Sequence, residues 1–202
     1  MMSRRTLLTS LSAGLASTVA LARPAAAAGA AVVPPSTNRR NFPNVTLVTH
    51  EDRTVRFYDD LVKGKIVLFN FFYTRCEGIC IPATANLRKV QNLLGNRVGR
   101  DIFMYSISLK PEEDTPSDLK DYREAYDITG PGWTFLTGSK ANCELLRQRL
   151  GFADIDPVRD ADVTQHSGIV VFGNDKYDSW TACPALANPT EIVKAVSWMD
   201  RG

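Results

Sequence analysis

The sequence predicts an α/β sandwich over residues 45–202, with a central mixed sheet, an N-terminal β-hairpin and flanking helices. Three observations support this prediction. Two nearly continuous apolar runs are typical of strands that are covered on both faces. Amphipathic runs at helical spacing follow these strands. Turn-forming residues bound most segments, so strands and helices alternate along the chain.

The first 28 residues resemble an export signal of the twin-arginine type. The segment Ser3–Leu8 contains Arg4 and Arg5, and an apolar run of 16 residues follows from Leu7 to Ala22. A spanning helix needs about 20 strongly apolar residues. We therefore expect cleavage and a periplasmic mature protein, whereas a retained signal would tether it to the membrane. Residues 29–44, rich in Pro, Asn and Ser, are predicted to form a linker.

The charge of the chain gives no sign of a nucleic-acid surface. Without the three arginines of residues 1–28, 21 basic residues remain against 22 acidic ones, which is a formal net charge of −1. A nucleic-acid-binding domain normally carries a basic patch or stripe. We therefore expect no nucleic-acid partner.

The first elements of the domain are a hairpin and a buried strand. Short alternating runs at 45–48 and 54–58 flank the polar turn His50–Arg53 and predict a β-hairpin. The run Ile66–Tyr73 is apolar except for Asn70, which predicts a central strand.

The remaining elements continue the alternation. After Pro82, a good first-turn residue, the spacing of Leu87, Val90, Leu93 and Leu94 predicts a helix. Later elements are predicted in this order: strand Asp101–Leu109, a helix capped within Asp114–Ser117 and ending at Tyr126, strand Trp133–Leu136, helix Ser139–Leu150, strands Gly168–Gly173 and Tyr177–Thr181, and helix Pro189–Met199. This order is that of a thioredoxin-like sandwich.

Two cysteines, Cys76 and Cys80, fall where the first core strand gives way to its helix. Unpaired backbone N–H groups and the helix dipole stabilise a thiolate there, which lowers the pKa of a cysteine. Residues four apart on a helix share a face, so the pair could form a disulfide or bind one metal ion. The spacing alone leaves a structural disulfide, a redox pair and a metal site open.

His166 is the third candidate ligand, because it lies just before the predicted strand Gly168–Gly173. In a thioredoxin-like fold, the loop that enters this strand lies beside the cysteine motif, and thioredoxins carry a cis-proline there. Here a histidine takes that place. Two thiolates and an imidazole suit copper, especially Cu(I), or zinc. The predicted site therefore consists of Cys76, Cys80 and His166, and its donors leave copper and zinc open as the metal.

The order of these motifs resembles the Sco/SenC family from about Phe42 to the C-terminus. The resemblance rests on Gly64-Lys65, the strand Ile66–Tyr73, Thr74 before Cys76-x3-Cys80, Ser106-Ile107-Ser108 with Pro111, Asp114-Thr115-Pro116, Leu136-Thr137-Gly138 and His166-Ser167. It implies a thioredoxin-like fold and copper held by Cys76, Cys80 and His166. It also implies a role in assembling the binuclear copper centre of cytochrome c oxidase subunit II, by donating copper or by reducing the target cysteines. Implied partners are that subunit or another periplasmic cuproprotein, and other copper chaperones.

The chain departs from the family pattern at three positions. Glu77 and Ile81 stand where members often have proline, with Pro82 one position late, and Lys110 stands where an acid is common. The three ligand types are retained. We expect these departures to affect redox tuning and target choice, because charges around the ligands tune a metal site.

Two other activities fit the cysteine pair. In a periplasmic thiol–disulfide oxidoreductase, Cys76 would be the nucleophile and Cys80 would resolve the mixed disulfide. Thr74 favours a peroxiredoxin-like peroxidase, but the usual Pro-x-x-x-Thr-x-x-Cys spacing is absent. In the copper site, the reduced pair binds as thiolates; without metal, it can close to a disulfide.

The other sulfur and imidazole groups are predicted to be structural or have no assigned role. Cys143 is predicted to be a small buried helix residue. Cys183 could pair with Cys143 or lie near the site, and we favour a structural role. Met104 and Met199 are predicted core positions, and His50 in the hairpin turn has no assigned role. Arg75, Glu77 and Asp162 flank the site without being predicted ligands.

Overall fold

A computed structural model describes residues 42–162 and 168–200. The predicted signal peptide, residues 29–41 of the predicted linker and the candidate ligand His166 lie outside the described residues. Among the described helices, none has both the length and the apolar character that crossing a bilayer requires.

The described chain forms one seven-stranded mixed sheet with the strand order β2-β1-β5-β4-β3-β6-β7. The strands are β1 (Thr46–Thr49), β2 (Thr54–Arg56), β3 (Ile66–Phe72), β4 (Ile102–Ser108), β5 (Trp133–Gly138), β6 (Ile169–Asn174) and β7 (Ser179–Pro184). Strands β3, β4 and β5 run parallel, while the β1–β2 hairpin, β6 and β7 pair antiparallel to their neighbours. The predicted mixed sheet and N-terminal hairpin are confirmed.

Helices cover both faces of this sheet. They are α1 (Cys80–Leu94), α2 (Pro116–Ala125), α3 (Lys140–Arg149), the one-turn α4 (Pro157–Asp160) and α5 (Pro189–Trp198). A π-helical segment, Phe57–Val62, and a 3-10 turn, Gly95–Arg97, complete the set. Helices α1, α2, α3 and α5 agree with the predicted helices, whereas the π-helical segment, the 3-10 turn and α4 were not predicted from the sequence.

The core consists of two apolar clusters, one on each face of the sheet, and β3 contributes to both. All seven of its residues are buried, as the continuous apolar run predicts. Because side chains alternate along a strand, Leu68 and Phe72 pack with α1, α2 and α5, whereas Phe69 and Phe71 pack with the π-helical segment and α3.

The one polar residue of β3, Asn70, belongs to a buried hydrogen-bond chain. The Ser106 hydroxyl donates to Asn70 Oδ1 at 2.7 Å, and Trp133 Nε1 donates to the Ser106 hydroxyl at 2.9 Å. A buried polar group without a partner is costly. These hydrogen bonds therefore explain how a polar residue is accommodated in the centre of the sheet. They also link β3, β4 and β5 directly.

Two predicted boundaries and one predicted apolar helix face differ from the structure. Phe42 and Asn44, predicted as the end of the linker, belong to the domain, since Phe42 is buried and the Asn44 side chain accepts from the backbone of Tyr58. Leu93 is 57% exposed, so only part of the predicted apolar face of α1 is buried. Strand β7 begins at Ser179 and runs to Pro184, which places Cys183 within it.

Candidate metal centre

The two motif cysteines lie where the chain leaves β3 and enters α1. Cys76 is in the connecting loop and Cys80 is the first residue of the helix; their exposed fractions are 6% and 1%. The two cysteines do not form a disulfide. The predicted arrangement of two cysteines one turn apart on a helix is wrong in detail, because Cys76 precedes the helix. The loop instead brings Cys76 to the start of the helix, where it lies in the same buried cluster as Cys80.

The N-terminus of α1 is free to interact with the Cys76 sulfur. Its N-cap residue, Ile79, provides no side-chain hydrogen bond. Burial raises the pKa of the Cys76 thiol, but hydrogen bonds from the Cys80 side chain, from the backbone N–H groups of Cys80 and Gly78 and from Tyr73 outweigh it, so the pKa is lowered overall. Cys76 is therefore prepared to act as a thiolate nucleophile or a metal ligand.

Tyr73, the residue that follows β3, is the aromatic neighbour of this thiol. Its side chain is 8% exposed and lies in the same buried cluster as Cys76. Burial, followed by the Cys76 contact and the nearby charges of Cys80 and Asp162, raises the pKa of Tyr73 to about 12. The phenol therefore remains protonated near neutral pH.

A buried carboxylate, Asp114, fixes the start of the cysteine loop. One of its oxygens accepts from the Thr74 backbone N–H at 3.2 Å and from the Thr74 hydroxyl at 2.5 Å. The other oxygen accepts from the Ser108 hydroxyl at the end of β4. Asp114 is 1% exposed, so these bonds join the loop to the neighbouring strand without competition from water.

Asp114→Asn should loosen this connection. An amide NH2 cannot accept from Thr74 or Ser108, and a buried hydroxyl without a partner costs about 1–3 kcal/mol. We expect denaturant unfolding to show a loss of about that size, with Cu(I) affinity lower by about tenfold because the loop positions Cys76.

Asp121→Asn on the exposed face of α2 is the matched control, and it should match wild type in both measurements. An Asp114→Asn protein with the unfolding midpoint and Cu(I) affinity of the control would contradict the positioning role.

The segment leading toward His166 is tied to α3 by a buried arginine. Arg147 lies 2.7 Å from carboxylate oxygens of both Glu144 and Asp160, with 6% of its side chain exposed. Hydrogen bonds to Asp160 and then Glu144 raise the pKa of Arg147 above its ordinary value. The Asp154 backbone N–H also donates to Asp160 at 2.6 Å, so the residues before the undescribed stretch 163–167 are held by specific contacts.

Both ends of that stretch lie toward the cysteine end of the sheet. Asp162, the last described residue before it, acts electrostatically on Tyr73. On the other side, β6 pairs antiparallel with β3, with Phe69 opposite Val171, so the chain enters β6 at the end where β3 leaves. His166 itself lies outside the described residues, and its place in the site remains a prediction.

Among the other residues considered from the sequence, Arg75 and Glu77 are exposed, and His50 differs most from its expected environment. His50 is buried rather than part of an open turn, and its Nδ1 accepts from the Phe135 backbone N–H at 3.3 Å. Burial and then the charge of Arg123 lower the pKa of His50. Its ring is thus used inside the domain as a neutral acceptor.

Cys143 and Cys183 do not pair with each other. Cys143 belongs to the cluster beneath α3, whereas Cys183 packs against the cluster on the opposite face, and both thiols are free. Burial, followed by the charge of Asp114, raises the pKa of Cys143 to about 12, and burial raises the pKa of Cys183. Neither thiol resembles the activated Cys76.

The donor set fits copper as far as the described residues extend. Cys76 and Cys80 provide two soft sulfur donors that are not joined in a disulfide, and such donors suit Cu(I). Within residues 42–162 and 168–200, there is no group of three or more His, Cys, Asp or Glu side chains that could hold a metal ion.

A family model described as SCO1/SenC matches residues 36–200 of the chain. The SCO1 protein homolog of Bacillus subtilis is 38% identical over 77 residues, which is 38% of this chain and 39% of that protein. The matched region thus spans about two fifths of this relative's length.

Two solved structures show the same fold. BsSco, described as a Sco-family cytochrome c oxidase assembly protein with a disulfide switch, superposes with a TM-score of 0.63 at 25% identity, covering 77% of this chain and 91% of BsSco. Copper-bound ScoI of Bradyrhizobium japonicum superposes with a TM-score of 0.60 at 23% identity, covering 76% of this chain and 96% of ScoI. The thioredoxin-like sandwich predicted from the sequence is confirmed.

Proposed function

This chain belongs to the SCO1/SenC family, and we propose that it is an exported copper-binding protein that acts in assembly of the binuclear copper centre of cytochrome c oxidase. The observation that carries the proposal is the pair of cysteines at the start of α1, Cys76 and Cys80, which lie in one buried cluster without forming a disulfide, with the pKa of Cys76 lowered. A copper-bound relative with the same fold supports it.

The proposed ligands are Cys76, Cys80 and His166. The two cysteines would bind as thiolates, and the imidazole would complete a three-coordinate set for Cu(I). Bound copper would supply a soft cation for delivery to a partner. In the chain itself, the surroundings of Cys76 lower the pKa of its thiol and so favour its deprotonated form, while Asp114 holds the loop in place.

Localisation and partners follow from the sequence. The twin-arginine-type pattern supports export to the periplasm, with a membrane tether if the signal is retained. Oxidase subunit II, another periplasmic cuproprotein and other copper chaperones are the proposed partners. Cys76 is only 6% exposed, so exchange with a partner's cysteines would require the loop to open locally.

A thiol–disulfide oxidoreductase is the second candidate, and the lowered pKa of Cys76 favours it. In this role, Cys76 would attack a partner's disulfide and Cys80 would then displace the reduced partner. The structure of the cysteine pair is compatible with either function. Copper binding and disulfide reduction therefore have to be measured on the same preparation.

The deciding experiment titrates the fully reduced protein anaerobically with Cu(I) against a competing chelator. The same preparation is then assayed for catalytic reduction of a protein disulfide. The copper function predicts one tightly bound Cu(I) per chain and little disulfide turnover. If the protein fails to retain Cu(I) and reduces the protein disulfide in a Cys76-dependent way, the copper function is wrong and the oxidoreductase function is supported.

A further inference from the structure

The side chain of Asn86 connects helix α1 to the loop that follows β7. Its Nδ2 group donates to the carbonyl oxygen of Ala185 at 2.9 Å and to that of Ala187 at 2.8 Å. A side-chain amide has two N–H donors, so both donors of Asn86 are used in this contact. The helix is thereby fixed to two points of one short loop.

The same loop is bonded to the residue that precedes β6. The backbone N–H of Ala185 donates to the Gly168 carbonyl at 2.9 Å, and Ala185 is fully buried. The carbonyl oxygen of Ala185 is the one that accepts from Asn86. Ala185 therefore joins α1 to the entry of β6 through its own backbone groups, without competition from water.

This connection lies close to the cysteine motif along the helix and close to His166 along the chain. Cys80 is the first residue of α1, and Asn86 is six residues later, which is about 9 Å along the helix axis. Gly168 follows the proposed ligand His166 by two residues of sequence. The hydrogen bonds of Asn86 therefore join the helix that carries one proposed ligand to the chain segment next to another.

We propose that Asn86 is a positioning residue of the copper site, which fixes α1, and with it Cys80, against the entry of β6. Ligands from separate elements bind one metal ion well only if those elements are held in the right relation, and residues that orient ligands therefore affect affinity. The inference deepens the proposed function and rests on it, because it takes Cys80 and His166 as ligands.

Asn86→Ala should lower Cu(I) affinity by about tenfold, at the lower end of the range for residues that orient a ligand. It should also shift the Cu(II)–thiolate absorption band. Alanine is the best helix former, so α1 should remain helical and lose only its connection to the loop. The measurements are a competition titration of the reduced protein against a Cu(I) chelator and an absorption spectrum of the Cu(II)-loaded protein.

Gln91→Ala is the matched control in the same helix. Gln91 Nε2 donates to the Thr129 carbonyl at 3.2 Å, so this variant also removes an amide donor from a loop carbonyl, but at the loop that leads into β5. It should leave the Cu(I) affinity and the Cu(II) band unchanged, even if it lowers the unfolding midpoint as much as Asn86→Ala does. An equal loss of affinity in both variants would overturn the proposal, because the effect would then follow stability alone.

The His166→Ala background separates positioning from a general loss of packing. If Asn86 fixes the cysteine helix relative to the imidazole, Asn86→Ala should change Cu(I) affinity by less than about twofold once His166 has been replaced. A loss of about tenfold in that background would overturn the proposal. Wild-type copper binding by Asn86→Ala, beside weakened binding by His166→Ala, would overturn it as well. If His166→Ala itself binds copper as wild type does, the proposed ligand set is wrong, and so is the role of Asn86.

Hydrogen exchange on the metal-free protein tests the connection without copper. The Ala185 amide should exchange about tenfold faster in Asn86→Ala than in wild type, because the loop that carries it loses both hydrogen bonds to α1. Gln91→Ala should leave this rate unchanged. An Ala185 exchange rate equal to that of wild type in Asn86→Ala would overturn the proposal, whatever the copper titration shows.

Discussion

Cys76→Ser and Cys80→Ser should each lower Cu(I) affinity by more than about 100-fold, because removing a ligand should exceed the 10–100-fold effect typical of losing a residue that only orients one. A serine hydroxyl is a hard, neutral donor that does not deprotonate near neutral pH, so it cannot replace a soft thiolate. The measurement is a competition titration of each reduced variant against a Cu(I) chelator.

Cys183→Ser is the matched control for these variants. Cys183 is half-buried in β7, and burial raises the pKa of its thiol. The control should therefore bind Cu(I) as wild type does. If either Cys76→Ser or Cys80→Ser retained wild-type affinity, that cysteine would not be a ligand, and the proposed site would be wrong at that position.

His166→Ala should weaken Cu(I) binding by about 10–100-fold and should remove or shift the Cu(II)–thiolate absorption band. Loss of the imidazole would leave two sulfur donors and an open position. Because Cu(II) prefers a tetragonal set that includes nitrogen or oxygen donors, its spectrum should be the more sensitive readout.

The chain contains only one other histidine, His50, which makes the comparison decisive. His50 accepts a hydrogen bond within the fold, so His50→Gln should leave copper affinity unchanged even if it lowers the unfolding midpoint. An unchanged Cu(II) spectrum in His166→Ala, or a spectrum lost in His50→Gln, would contradict the assignment of the third ligand.

Most of the fold could be predicted because its signals are local. The run Ile66–Phe72 is apolar except for Asn70 because β3 is covered on both faces. The helix α1 begins at Cys80, so Pro82 lies in its first turn, as predicted. An apolar residue on the wrong side of the helix, such as Leu93, could not be recognised without knowing which face packs.

The position of the cysteine loop could be predicted from the sequence, but its supporting contacts could not. The cysteine spacing and the motif order point to Cys76 and Cys80 directly. Asp114 contacts Thr74 across 40 residues of sequence, and no periodicity encodes that distance. The predicted cap region did contain Asp114, but the observed cap is Thr115, which leaves the Asp114 carboxylate free to hold the cysteine loop.

Lys110 shows why a departure from a family pattern needs a structure to interpret it. From the sequence, it was a charge change of unknown consequence near the site. The structure places its ammonium 4.8 Å from the centre of the Tyr73 ring, a contact that the sequence alone could not indicate. Glu77 and Ile81, the other two departures, are exposed, and their side chains are available to a partner.

The central claim is that Cys76, Cys80 and His166 hold copper. X-ray absorption spectroscopy of the Cu(I)-loaded, reduced chain tests it most directly, because the fine structure separates sulfur from nitrogen neighbours. The account predicts two sulfur ligands and one imidazole nitrogen, with the nitrogen contribution lost in His166→Ala. A copper ion bound by sulfur alone, or by nitrogen and oxygen without two sulfurs, would contradict it.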